Sequence, residues 1–239
     1  MKHRLDKELV ERGLLPTRSQ SESFIKLGEV KVNDKVINKP GFLVSNDDNI
    51  QLTTKEQYVS RAGLKLASVV QKLNLNFKDK TVLDVGSSTG GFTDYALQHG
   101  AARVVAVDVG SNQLHPTLRV DERVELHEQT DIRDFTKQTT VTFDLILIDL
   151  SFISLHDILP QLTTLVSKQT QIVAMVKPQF EAGKTEVNKG IIKNDTIRRN
   201  ILKDFENWVQ NVYVILDKAD SEVAGAKGNR ERFYLLRKA

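Results

Sequence analysis

Four charged residues stand where a folded chain has little use for them unless they meet at a site. Lys177 follows the apolar run IVAMV, Asp149 ends FDLILID, Lys65 lies in YVSRAGLKL, and Glu231 precedes the apolar stretch of KGNRERFYLL. An ammonium at the end of a buried strand is costly unless it is paired or opens onto a site. Two lysines and two acids compensate one another's charge, and such a set can hold and deprotonate a hydroxyl and stabilise the oxyanion that develops.

A second group lies in VLDVGSSTGGFTDYAL, where Gly86, Gly90 and Gly91 let the backbone approach a ligand closely. The spacing is not G-x-G-x-x-G, because Ser88 stands where the second glycine belongs, nor is it the phosphate-cradling G-x-x-x-x-G-K-[ST]. A nucleotide without phosphates fits this loop better, held by Gly86, Ser87, Ser88, Thr89, Gly90, Gly91 and Phe92. Asp108 ends RVVAVDVG, where an acid accepting from ribose hydroxyls belongs in an open α/β sheet. Asp131, in QTDIRDF, can accept from an adenine amino group, and Asp84 lies under the loop near the ligand's own amino group. Together these acids and the loop describe an adenosyl pocket, with Asp149 at its edge.

Residues so far apart meet only if the fold brings strand ends together. From Val59 onward the pattern is strand then helix, with strands at TVLDVG, RVVAVDVG, VELHEQ, FDLILID, QIVAMVK, VYVILDKA and RFYLLRK. Helices include GGFTDYALQHG and DTIRRNILKDFENWVQN, the second capped by Asn194 or Asp195. Alternating βα units with near-continuous apolar strands predict an α/β, doubly wound, mostly parallel seven-stranded sheet. Its ligands sit beyond the carboxyl ends of the strands. Ahead of it, a small α/β module has one helix stopped by Gly13 and a second capped by Thr17 or Ser19 and stopped by Gly28. A hairpin turns at Asn33-Asp34, and NIQLTT forms a last short strand. The expected boundaries are a small domain over 1–53, a linker over 54–58 and a large domain over 59–239.

The 239 residues include no cysteine, which excludes disulfides, thiolate metal sites and a cysteine nucleophile. The five histidines are scattered, so no metal is expected. The N-terminus is charged throughout and no apolar run is long enough to span a membrane, so a cytoplasmic protein with no membrane partner is expected. A net charge of +3 says little, but Arg4, Lys7, Arg12, Arg18, Lys26 and Lys31 crowd the N-terminal module and suggest a polyanionic partner.

The stretches YVSRAGLKL, DVGSSTGGFTD, DLSFISL, MVKPQFE and GNRERF, in this order and over nearly the full length, resemble the TlyA (hemolysin A) family. That family joins an alpha-L type RNA-binding module to an FtsJ-like ribosomal RNA methyltransferase. The resemblance implies a Rossmann-like class I methyltransferase fold, S-adenosylmethionine as cofactor, and ribosomal RNA or ribosomal subunits as partner. It also implies a catalytic Lys-Asp-Lys-Glu tetrad, carried here by Lys65, Asp149, Lys177 and Glu231.

A ribose 2′-hydroxyl is a poor nucleophile at neutral pH and needs a base and in-line placement. Burial and a neighbouring cation favour a neutral amine at Lys177 while the nearby acids oppose it, and the sequence leaves the balance open. Asp149 would orient Lys177, and Lys65 with Glu231 would position the ribose. DLSF replaces the Asn/Asp-Pro-Pro-aromatic turn common in amino methylation, and without cysteine an oxygen acceptor remains. Phe152 either stacks on a base or packs under the loop, and EAGKTEVNKGIIKND either closes over RNA or is a surface loop. Two other functions stand beside this one: a membrane-active protein, as the hemolysin name suggests, and a non-catalytic RNA-binding ribosome assembly factor.

Overall fold

A computed structural model describes residues 2–15, 18–52, 58–182, 191–192, 194–225 and 228–238. The chain divides into two compact units, residues 1–57 and 58–239. Thr17, most of the expected linker, and residues 183–190 and 193 of the loop after Lys177 lie outside the described residues.

The first unit is built on apolar residues at helical spacing. Strand β1 (Lys2–Arg4) leads into α1 (Leu5–Glu11), whose Leu5 and Leu9 are fully buried one turn apart. Gly13 ends this helix at φ +67°, with its amide bonded to Val10 and the Leu14 amide to Leu9. This pairing satisfies the last carbonyls as only a left-handed residue allows. Helix α2 (Arg18–Leu27) ends in the same way at Gly28. Ser19 falls inside α2 rather than at its cap, because the helix already begins at Arg18. Asn33 and Asp34, both at positive φ, join β2 (Val30–Val32) to β3 (Lys35–Val36). Strand β4 (Leu43–Ser45) pairs with β1, and β5 (Ile50–Leu52) with β2.

The second unit opens with α3 (Arg61–Val70), β6 (Thr81–Val85), α4 (Gly91–Gln98), β7 (Arg103–Val107), α5 (Pro116–Arg119), β8 (Val124–His127), α6 (Ile132–Gln138) and β9 (Leu145–Ile148). Then come α7 (Leu155–Ile158), a 3-10 turn over Leu159–Thr164, β10 (Gln171–Val176), α8 (Pro178–Glu181), α9 (Asp195–Val209), β11 (Tyr213–Asp220) and β12 (Arg232–Lys238). The seven strands form one sheet in the order β11-β12-β10-β9-β6-β7-β8, parallel except for β12.

Side chains alternate across a strand, so each strand feeds two cores. Leu83, Val105, Ile146 and Ile172 face one, which Leu202 and Phe205 of α9 cover. Val82, Val104, Leu147 and Val173 face the other, covered by Leu66 and Val69 of α3 and Tyr95 of α4. Burial on both faces explains why these strands read as unbroken apolar runs. The strand order reverses between β6 and β9, and the carboxyl ends of these two strands frame the crevice where a ligand of such a sheet belongs.

Candidate active site

The crevice is lined by the loop after β6, the start of α3 and the residues just past β9 and β10. Gly86 sits at φ +82°, and a Cβ there would come within 2.7 Å of the Asp149 carbonyl, so the residue must be glycine for two reasons. At Gly91 a Cβ would lie 2.8 Å from the Gly63 amide, which is how closely α4 packs on α3. Gly90 caps α4 from a left-handed conformation, and Ser87, Ser88, Thr89 and Phe92 line the same crevice.

Asp84 lies beneath this loop, 1% exposed. Its Oδ2 accepts from the Thr93 amide at 2.9 Å and hydroxyl at 2.7 Å, whereas Oδ1 is buried without a partner among the described residues, as is the Ser87 hydroxyl. Burial pushes its carboxyl up to about 7, the charges of Asp149 and Asp108 add to the rise, and the Thr93 hydrogen bonds hold it down. A buried acid with one unanswered oxygen on the crevice is complementary to an ammonium group. The amino group of S-adenosylmethionine fits that requirement.

The adjoining pocket is walled by Val85, Val107, Val109, Ile132, Leu150 and Ile153, with Asp108 and Asp131 at its rim. Asp108 accepts from the amides of Ser88 at 2.9 Å and Gly110 at 2.7 Å, so it both shapes the loop and faces the pocket. Asp131 caps α6 through the Arg133 amide and is doubly bonded by the Arg133 guanidinium, which holds its carboxyl below the usual range. The apolar walls were missed from sequence, as was Ser60, which caps α3 and lines the crevice. Val109 carried a signal: a large apolar residue directly after the expected ribose acid, 71% exposed.

The four charged residues form two short pairs. Lys177 Nζ lies 2.6 Å from Asp149 Oδ1 and donates to Ser151 Oγ at 2.8 Å, and Lys65 Nζ lies 2.6 Å from Glu231 Oε2. All four side chains are nearly buried, from 3% exposed at Glu231 to 16% at Asp149. The register explains the meeting: Val176 pairs with Arg232, so Lys177 and Glu231 follow at adjacent strand ends. Ala174 pairs with Ile148, which leaves Asp149 beside them. Phe152 departs from the packed alternative, being 91% exposed at φ +67° with its ring 5.2 Å from that of Phe180.

The basic residues of the first unit divide. Arg4 and Arg18 both bond the buried Asp6, and Arg12 bonds Glu8 and the carbonyls of Ser45, Asn46 and Asp48. Lys7 is exposed and Lys31 half-buried, and neither enters an ion pair among the described residues; the Lys26 side chain is not described. His3, Glu8 and Glu11 bring potential metal-ligand atoms within 4.8 Å of one another, but Glu8 is taken by Arg12. Among the described residues no helix is long and apolar enough to cross a membrane.

The chain matches the FtsJ-like methyltransferase family over residues 58–238 and the S4 domain over residues 3–50. It is 37% identical to a 16S/23S rRNA (cytidine-2′-O)-methyltransferase TlyA of Mycobacterium tuberculosis, over 98% of this chain and 89% of that one. It is 41% identical to a 23S rRNA (cytidine-2′-O)-methyltransferase TlyA of Campylobacter jejuni, over 75% of this chain and 70% of that one. A solved structure from Streptococcus thermophilus that carries the name hemolysin superimposes with a TM-score of 0.78 at 38% identity, covering 100% of this chain and 89% of that one.

Proposed function

Because the chain belongs to the FtsJ-like methyltransferase family, in the TlyA (hemolysin A) group that adds an S4 domain, we propose that it methylates ribose 2′-hydroxyls of ribosomal RNA, free or in ribosomal subunits, in the cytoplasm. When bound, S-adenosylmethionine supplies an electrophilic methyl group. The observation that carries the reading is the Lys177–Asp149 pair, held at 2.6 Å on the rim of the crevice that Asp84 closes from below.

Each residue then has a role in chemical order. Asp84 Oδ1 would hold the cofactor's amino group, the Gly86–Gly91 loop its methionine end, and the walls around Val109 and Ile132 its adenine. Asp108 would accept from the cofactor's ribose hydroxyls. On the acceptor side, Lys177 takes the proton from the attacking 2′-hydroxyl as the neutral amine, after its ammonium has released a proton to solvent; Asp149 and Ser151 fix its Nζ, and Lys65 with Glu231 positions the acceptor ribose. The exposed ring of Phe152 offers a face for the acceptor base. The N-terminal domain, residues 1–53, holds structured RNA through phosphate contacts, to which Lys7 and Lys31, not ion-paired among the described residues, contribute.

The test is incubation of purified protein with radiolabelled S-adenosylmethionine and unmodified ribosomal subunits, followed by mapping of the label. Label on one or a few ribose 2′-oxygens supports the proposal and names the nucleotide. Bound cofactor with no label on either subunit or on free ribosomal RNA would sink it.

A further inference from the structure

Glu181, the last residue of α8, has no role in the chemistry above, yet its side chain is only 2% exposed. Its oxygens turn to one place. Oε1 accepts from the Leu155 amide at 2.9 Å, and Oε2 accepts from the Ser154 hydroxyl and lies 3.0 Å from His156 Nδ1. Ser154 is itself the cap of α7. Serine, histidine and glutamate in contact invite comparison with a nucleophilic triad, but here Ser154 and Glu181 address the same ring nitrogen. A triad needs one partner on each nitrogen, so this cluster generates no nucleophile. What it does is tie the start of α7 to the end of α8.

The two tied segments carry the acceptor wall. Before Ser154 come Ser151, which accepts from Lys177, and Phe152, exposed at positive φ. Before Glu181 come Lys177, the residue immediately ahead of α8, and Phe180, whose ring lies 5.2 Å from that of Phe152 and 5.9 Å from Lys177 Nζ. A non-glycine residue at positive φ persists only where its surroundings over-determine it. Residues 151–155 are fixed at one end by the Lys177–Ser151 bond and at the other by Glu181.

We propose that Glu181 is a positioning residue for methyl transfer: by clamping Ser154 and Leu155 to α8 it sets where Lys177 and Phe152 stand against the acceptor ribose. The inference rests on the methyltransferase reading. It also has a built-in reporter, because Trp208, the chain's only tryptophan, lies 3.9 Å from His156 ring to ring.

The test compares wild type, Glu181→Ala and Glu181→Gln in single-turnover methyl transfer to ribosomal subunits, S-adenosylmethionine affinity and Trp208 emission. Glu181→Ala is expected to slow transfer about 100-fold, the scale of a roughly 1 Å misplacement, with cofactor affinity unchanged and Trp208 emission shifted. Glu181→Gln, which can still accept from Leu155, is expected to recover transfer to within about tenfold of wild type. If Glu181→Ala does not fold, Ser154→Ala carries the test, with an expected loss of about tenfold. A wild-type transfer rate in Glu181→Ala despite shifted emission would overturn the proposal, as would loss of cofactor affinity in step with rate. Wild-type protein that binds cofactor and methylates no RNA would overturn the methyltransferase reading, and this inference with it.

Discussion

The two halves of the crevice are built in opposite ways. On the cofactor side the backbone is fixed, with Gly86 at φ +82° against the Asp149 carbonyl, and one buried oxygen of Asp84 is left unanswered. On the acceptor side every charge already has its partner, Lys177 with Asp149 and Lys65 with Glu231. Among the described residues the cofactor half thus leaves a carboxylate oxygen and the Ser87 hydroxyl unanswered, whereas an acceptor hydroxyl enters a set of charges that is already ion-paired. Substitutions in the first half should therefore change affinity, and substitutions in the second should change rate.

The largest effect is expected where the acceptor side is broken. Lys177→Ala removes the proposed base and should lower methyl transfer about 1000-fold at saturating RNA, within the range of general acid–base catalysis. Cofactor affinity, read by calorimetry, should change little. Equal losses in rate and cofactor affinity would erase the distinction between the halves.

Asp84→Asn tests the other half. Loss of a hydrogen bond to a charged group, about 1.5–3 kcal/mol, should weaken S-adenosylmethionine binding about 10- to 100-fold. The pH dependence has a definite sign. Asp84 ordinarily titrates at 3.8 and is raised to about 7 in the fold, so between those values the native protein holds a proton that the unfolded chain has released. Stability from this group therefore falls as pH rises from 3.8 to about 7, and Asp84→Asn should flatten that part of the Tm profile of cofactor-free protein. Binding of the cofactor's ammonium needs the ionised acid, so affinity should weaken below about pH 7 in wild type and not in Asp84→Asn. Parallel pH profiles for the two proteins would show that Asp84 does not meet the cofactor.

The sequence made this contrast half legible. Apolar runs marked the central strands β7, β9 and β10 because burial on both faces leaves little polar interruption, and a charge at a strand end stood out against them, whereas the outer strands β8 and β11 are only partly buried and carry Glu125, His127, Asp217 and Lys218. Pairing was not readable: nothing local says that Lys177 faces Asp149 while Lys65 reaches Glu231, since these contacts follow from the order of strands in the sheet. The apolar walls of the adjoining pocket, proposed here for adenine, were hidden for a related reason, because Ile132, Leu150 and Ile153 look like any other core residue in sequence. Glu181 stood in sequence as the first residue of the loop EAGKTEVNKGIIKND. The β1–β4 ladder escaped because three-residue strands about 40 positions apart carry too little alternation to register.

A smaller effect should sharpen the acceptor side. Phe152→Ala removes a ring face worth about 1–3 kcal/mol to a stacked base and should raise KM for RNA about tenfold without touching cofactor affinity. Phe152→Gly should lose the same RNA affinity yet melt at a higher temperature than Phe152→Ala, because glycine is at ease at φ +67°. Equal Tm values for these two variants would mean that the backbone at this position stores no strain.

The smallest effects test whether answered and unanswered charge divides the N-terminal unit as well. Arg4 and Arg18 hold Asp6 at about 2, and Arg12 binds Glu8 and three carbonyls, so these arginines are committed to the fold. Lys7 and Lys31 are not paired among the described residues. Lys7→Ala and Lys31→Ala should each weaken RNA binding a few-fold and lower the salt slope of log affinity by about 0.7–0.9, the value of one phosphate contact, with Tm unchanged. Arg12→Ala should instead lower Tm, because four hydrogen bonds are lost and Glu8, 6% exposed, is left with a poorer partner. If Arg12→Ala lowered the salt slope at unchanged Tm, its guanidinium would have to leave those carbonyls for phosphate, and paired charge would no longer mark the part of this unit that does not touch RNA.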